Sequence, residues 1–320
     1  MVLMNLCITG ALGHIGSKLI RSLQIPGLEK VYIVDNLLTQ RYASLFDLPA
    51  GMEFVFYETD ILSPEIETVI EDSDVLIHLA AVTDAERSFG REEEVEEINK
   101  KGLEKVARLC AAKGCSLLFP SSTSVYGSQS EVVDETCPEK ELKPQSPYAD
   151  SKIFGERLLA ELSEEMGLKY VIFRIGTIFG YSIGMRFHTA VNKFVWQASN
   201  GKPITVWKTA LHQKRPYCGL GDCVNAINFF VANDHFDNQV YNIVTANLTV
   251  QDIVDVIKVN IPGIQVIFVD SPIMNQLSYE VLNKKSLSLG LTYHDTVEDS
   301  LLVVLRKLRN ANTQIERIAV

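Results

Sequence analysis

The stretch Thr9 to Gly16 reads TGALGHIG and lies where the strand-like run NLCIT gives way to the amphipathic run GSKLIRSLQ. Glycines at 10, 13 and 16 permit a tight turn and a close backbone approach, while the following helix start offers unpaired N–H groups and a positive dipole end. A strand running through such a turn into a helix commits the chain to a crossover connection. The rest of the first half repeats that pattern. VYIVDN, EFVFYETDI, DVLIHLAA, SLLFPSS and KYVIFRIGTIFG are strand-like, and EEVEEINKKGLEKVARLCAAKG and SPYADSKIFGERLLAELSEEMG are helical. The alternation predicts an α/β fold, a doubly wound parallel sheet with helices on both faces.

The pattern loosens after Gly180, where Tyr181 to Pro216 mixes aromatic, basic and glycine residues. The expected division is therefore a sheet domain over 1–180, rejoined by a segment near 217–246 that includes CVNAINFFV. A smaller, carboxyl-terminal substrate-binding lobe is expected over 181–216 and 247–320. A chain of 320 residues can bury a core for both.

Ala11 stands where the second glycine of G-x-G-x-x-G would be, so the turn needs support from elsewhere. Asp35 supplies it. It ends the second strand nineteen residues after Gly16, close to the spacing of an acid that accepts hydrogen bonds from an adenosine ribose. Its charge would repel a 2′-phosphate, which favours NAD over NADP. The fold is thus of Rossmann type, and ligands of such sheets bind at the carboxyl ends of the strands. The expected cofactor contacts are Gly10, Gly13, His14, Ile15 and Gly16 in the turn and Asp35 and Asn36 after the second strand. Asp60 and Ile61 are placed near the adenine, and Leu79, Ala80 and Ala81 where a flat cofactor lies against backbone.

Tyr148 and Lys152 share one face of a helix that Ser146 is placed to cap and Pro147 to open. An ammonium and a helix dipole both stabilise phenolate, so Tyr148 is expected to accept a hydroxyl proton near neutral pH. The preceding strand ends in Ser121, Ser122 and Thr123, and a serine hydroxyl there could hold the same substrate oxygen.

Composition narrows the partners. The net charge of −10 argues against general nucleic-acid binding. No apolar run reaches membrane-spanning length and the amino terminus lacks a basic n-region, so a cytoplasmic protein is expected. The six cysteines show no C-x-x-C spacing and read as reduced core thiols, with no metal site.

Taken together, T-G-x-x-G-x-x-G at Thr9 to Gly16, Asp35, Asp60, H-L-A-A at His78 to Ala81, Asn99, S-S-x-x-V-Y-G at Ser121 to Gly127 and Tyr148-x-x-x-Lys152 resemble the extended short-chain dehydrogenase/reductase family. The likeness is to its nucleotide-sugar epimerase/dehydratase branch. It continues through RIGTIFG at Arg174, RPYCGLGD at Arg215 and VYNI at Val240, and so covers nearly the whole chain. The resemblance implies bound NAD, with Asn99, Tyr148 and Lys152 among its contacts, and a catalytic trio of Ser122, Tyr148 and Lys152 that oxidises a sugar hydroxyl, usually at C4. It implies substrate contacts at Thr83, Ser122, Thr123, Tyr148, Thr177, Arg186 and Arg215, with Arg215 gripping a pyrophosphate. It also implies a homodimer built on the two long helices.

Departures from the family pattern sharpen the reading. Thr123 and Ser124 occupy the places of the Asp-Glu pair of 4,6-dehydratases, which argues against dehydration. Thr177 in place of the frequent Asn resembles epimerases of UDP-uronic acids. The later Arg-Pro-Gly-Asp element is missing from DSPIMNQLSYEV, and Arg186 in GMRFHTAVNKF is expected to compensate. His14, where Phe or Tyr is common, reads as a packing or hydrogen-bonding substitute. The reading is therefore a 4-epimerase of a UDP-hexose or UDP-hexuronate. A reductase, dehydrogenase, decarboxylase or dehydratase of the same family is the alternative, and a non-catalytic dinucleotide sensor is the reading from another class.

Overall fold

The computed structural model describes residues 3–83, 88–127, 132–270, 278–308 and 311. Of the stretch DSPIMNQLSYEV, residues 271–277 lie outside the described residues, as do 309–310 and 312–320 of the expected lobe.

Seven parallel strands form the main sheet, in the order Gln239–Ile243, Tyr170–Ile175, Ser116–Ser122, Val75–His78, Met4–Thr9, Leu28–Asp35, Glu53–Glu58. The chain starts in the middle, builds outward to one side, then crosses back past Met4–Thr9 to build the other. The order reverses between Met4–Thr9 and Val75–His78, and a crevice opens where neighbouring connections leave in opposite directions. Central strands are buried on both faces, which is why VLI at Val75 and YVIF at Tyr170 read as continuous apolar runs.

Alternate residues of each strand feed two cores. Leu6 and Ile8 pack with Leu19, Phe173, Ile227 and Phe230, joining helix His14–Leu19 to helix Leu220–Ala232. Cys7 joins Leu76, Leu117 and Phe119 on the opposite face, beneath helices Leu103–Lys113 and Pro147–Met166. The returning segment expected near CVNAINFFV is the helix Leu220–Ala232 followed by the edge strand Gln239–Ile243.

A third core gathers helices Ala190–Ser199, Val250–Asn260 and Val297–Leu308 around strand Ile204–Trp207, which pairs in parallel with Val266–Val269. The boundaries expected at 216 and 246 fall at strands Arg215–Gly219 and Ala246–Leu248. These two strands and Thr177–Phe179 form a three-stranded sheet. A pair of carboxylates ties late chain to early chain. Asp295 accepts from the Gly221 and Asp222 N–H groups at 2.6 and 3.1 Å, capping helix Leu220–Ala232, while Asp222 accepts from those of His294 and Asp295 at 2.8 and 3.1 Å. Burial and the neighbouring Asp222 charge raise the Asp295 carboxyl above its ordinary value.

Cys7, Cys110, Cys115, Cys218 and Cys223 are buried free thiols and Cys137 is partly exposed. Among the described residues no helix is long and apolar enough to cross a membrane, and no group of three His, Cys, Asp or Glu is placed to hold a metal ion.

Candidate functional site

A cleft of about 750 Å³ opens at the carboxyl ends of the strands. Its floor is the glycine turn. Gly10 has φ +65°, and a Cβ placed there would lie 2.6 Å from the Ala80 backbone nitrogen, so only glycine fits against the end of the neighbouring strand. The Leu79 N–H donates to the Thr9 carbonyl at 2.9 Å and fixes that contact.

Helix His14–Leu19 starts beside this turn, and a later segment covers its back. His14 is buried, with Nε2 at 2.8 Å from the Gly180 carbonyl, which can only accept, so Nε2 carries the proton. Burial lowers His14 to about 4 and keeps it neutral, against the pull of that hydrogen bond. The Ser182 hydroxyl donates to the His14 carbonyl at 2.8 Å and the Gly184 N–H donates to the Ser17 hydroxyl at 2.9 Å. His14 is thus a bridge to the Gly180 segment, as its reading as a hydrogen-bonding substitute anticipated.

Asp35 accepts from the Leu12 N–H at 3.0 Å and the Leu37 N–H at 2.9 Å. One carboxylate therefore holds both the glycine turn and the loop after the second strand while facing the cleft. Asn36 donates to Asp60 at 2.8 Å, and Asp60 also accepts from the Leu62 N–H at 2.9 Å. Ile15, Gly13, Gly16, Ile61, Ala80, Ala81 and Thr83 line the same trough. Asn99 does not line it. It lies in the π-helical turn Glu96–Gly102, exchanges hydrogen bonds with the Val82 backbone at 2.7 and 2.9 Å and donates to the Ser151 hydroxyl at 3.0 Å. It braces the wall from behind.

The side chains expected to react come from strand Ser116–Ser122 and helix Pro147–Met166. Ser146 caps that helix by accepting from the Ala149 N–H at 3.2 Å, and Pro147 opens it. Lys152 is buried, donates to the Pro120 carbonyl at 2.7 Å and lies 5.6 Å from the centre of the Tyr148 ring. Pro120 is tolerated in a central strand because pairing with Val75–His78 ends at Leu118.

Burial lowers Lys152 to about 7, with Glu156 pulling it back up. For Tyr148 the expected lowering is reversed by the protein's own groups: burial raises it, and Arg186 and the Ser122 hydroxyl only partly offset that. The site holds a phenol that gains its charge with reluctance, beside a lysine that loses its own with ease.

Ser122 Oγ accepts from the Ser124 N–H at 3.2 Å and from the Ser124 hydroxyl at 2.9 Å, and it faces the cleft. Thr123 also borders the cleft, but its hydroxyl lies 3.4 Å from the Ile175 carbonyl and its own carbonyl accepts from Tyr279 at 3.1 Å. Thr177, Arg186 and Arg215 stand on the far wall, with the Arg215 guanidinium 5.8 Å from the centre of the Tyr279 ring.

Sequence reasoning missed Arg41, His188, Lys193, Trp207 and Gln213, which also line the cleft. The run RFHTAVNKF carried a signal for two of them, since it brings His188 and Lys193 along with Arg186. The lining is unevenly charged. Asp35, Asp60 and Glu94 all stand on the side of the first four strands, whereas the wall from Gly176 to Tyr279 presents Arg186, His188, Lys193 and Arg215 and, among the described residues, no carboxylate.

A dinucleotide fits the first side: a turn that only glycine can make, a helix start for its phosphates and acids for its ribose. A second anionic ligand fits the other wall.

Comparison with known proteins supplies the family and the fold. The model of the NAD dependent epimerase/dehydratase family matches residues 6–244. An "Uncharacterized UDP-glucose epimerase YtcB" of Bacillus subtilis is 27% identical over 249 residues, 75% of this chain and 76% of its own. The crystal structure of a UDP-glucuronic acid 4-epimerase from Bacillus cereus, in complex with UDP-glucuronic acid and NAD, superposes with a TM-score of 0.84 at 23% identity, covering 96% of this chain and 99% of that one. A UDP-N-acetylglucosamine 4-epimerase of Methanobrevibacter ruminantium gives 0.82 at 22% identity, covering 96% and 100%. At such identities the structural likeness shows the shared fold.

Proposed function

The chain belongs to the NAD dependent epimerase/dehydratase family, and from that premise we propose that it is a nucleotide-sugar 4-epimerase acting on a UDP-hexose or UDP-hexuronate. The observation that carries the reading is the far wall, cationic and, among the described residues, free of carboxylates, facing Ser122 and Tyr148. Such a wall suits the diphosphate of a nucleotide sugar. At the end of strand Ser116–Ser122, Thr123 and Ser124 are neutral and Thr123 is turned towards backbone, so these two positions supply no acid–base pair for elimination of a hydroxyl.

NAD held at the glycine turn supplies the hydride acceptor and donor. The chain supplies the proton chemistry. Ser122 orients the sugar hydroxyl, and Tyr148 as phenolate takes its proton at Oη and later returns it. Lys152 stabilises the phenolate across the short span between them. Arg215 and Lys193 grip the diphosphate. Arg186, which acts electrostatically on Tyr148, stands near the reacting end of the sugar, where a uronate carboxylate would meet it; this favours the hexuronate.

The enzyme is taken to work in the cytoplasm as a homodimer, with helices Leu103–Lys113 and Pro147–Met166 at the interface; light scattering checks the dimer. Proton NMR of the protein with NAD and a panel of UDP-glucose, UDP-galactose, UDP-glucuronate and N-acetyl sugars tests the reaction. New anomeric signals from a C4 epimer without net NADH are expected. An unchanged panel would overturn the proposal.

A further inference from the structure

Behind the reactive strand end lies a buried ion pair that the mechanism above leaves unused. Glu156 stands one helical turn beyond Lys152, and its carboxylate receives the Arg174 guanidinium through two hydrogen bonds, Nε at 3.0 Å and Nη2 at 2.6 Å. Both side chains are nearly out of solvent, 10% and 6% exposed. The Ser121 hydroxyl donates to the same carboxylate at 2.5 Å, and the Arg174 guanidinium lies 4.9 Å from the centre of the Tyr126 ring. Tyr126 in turn donates to Asn242 at 2.9 Å.

The contacts join three elements at one point. Helix Pro147–Met166 carries Tyr148 and Lys152, strand Ser116–Ser122 carries Ser122, and strand Tyr170–Ile175 carries the arginine. Ser121, gripped by Glu156, lies between Pro120, which receives the lysine, and Ser122. Buried ion pairs seldom add stability over apolar residues of similar volume, so a role in holding geometry or charge accounts better for this one.

We infer that Glu156 is a positioning residue for the reaction: its carboxylate locks the Tyr148–Lys152 helix to the Ser122 strand end and stands one helical turn from Lys152 as its counter-charge. The inference rests on the reading of Tyr148 and Lys152 as the reactive pair.

The groups facing Lys152 bear it out. From its own helix these are Tyr148 and Glu156, and from strand Val75–His78 it is His78. Burial, followed by the charge of Lys152, lowers His78 to about 3 and keeps it neutral. Arg174 lies behind Glu156 on the neighbouring strand. Glu156 is thus the one carboxylate acting on the lysine among these groups, and without it burial would drive the ammonium towards the neutral amine.

The test measures the protonation of Lys152 directly, by pH-dependent competitive acetylation with acetic anhydride, read by mass spectrometry of the peptide bearing it. Glu156→Gln keeps the shape and removes the charge, and it is expected to lower the Lys152 midpoint by about half a pH unit or more. A merely structural role would move the midpoint the other way, because a loosened site admits water and restores the amine towards its ordinary value. A variant with an unpaired buried arginine may fail to fold, so Glu156→Gln with Arg174→Met is measured beside it; the downward shift should persist. An unchanged or raised midpoint in the folded variants would overturn the inference. The labelling needs no turnover, so failure of the sugar panel would count against the functional reading alone.

Discussion

The two sides of the cleft are built by different means. On the side of the first four strands, ligand-facing groups are also structural: Asp35 holds the glycine turn, Asp60 holds the loop after the third strand, and Gly10 touches the Ala80 backbone. On the other side, Arg186, Lys193 and Arg215, joined by His188, come from the segment after Gly180 and from a short strand. The first side is shaped before any ligand arrives, and it can serve one cofactor across many reactions. Under the proposed function, the second side is the one that selects the sugar.

The largest effect expected is at the seam between them. Tyr148→Phe should lower turnover by about a thousandfold, within the range for loss of a positioned acid–base group, while NAD affinity measured by calorimetry stays within a few fold. If NAD binding fell as well, the seam would belong to the cofactor side and the contrast would fail.

Gly10→Ala attacks the first side alone. A side chain at φ +65° against the Ala80 nitrogen costs on the order of 1–3 kcal/mol in strain and clash, expected as weaker NAD binding by fluorescence titration and a lower melting temperature. Arg215→Ala attacks the second. Loss of a charge-assisted contact should raise the KM for the UDP-sugar roughly tenfold or more and leave NAD affinity alone.

A further effect concerns pH. His14 is held at about 4 when folded against an ordinary 6.5, so the unfolded chain binds its proton first as pH falls. Its contribution is fully present above 6.5, declines between 6.5 and about 4, and amounts to about 3 kcal/mol at most. His14→Phe should flatten the acid side of a plot of melting temperature against pH; an unaltered slope would show that His14 does not set it.

The same contrast governs what the sequence disclosed. Gly10, Asp35, Ser146 and Tyr148 were legible because each does a local backbone or helix-start job whose spacing along the chain is set by the turn, the strand or the helix itself. Asn99 was legible as a family position, but not its place behind the wall, since that depends on a π-helical turn with no mark in the residues. Trp207 and Gln213 were invisible for a plainer reason: they reach the cleft only because strand Ile204–Trp207 packs inside the third core, a matter of tertiary arrangement. The direction for Tyr148 was misjudged because proximity to Lys152 was weighed and burial was not.

Ser182 and Gly184, at the back of the glycine turn, bear on the order in which the protein matures. The glycines are made well before their backing, since the groups that meet Ser17 and the His14 carbonyl arrive more than 160 residues later. A nascent chain halted before Gly180 has the cofactor motif without its backing. The backing of the motif and the Arg186 part of the far wall therefore come from one continuous segment.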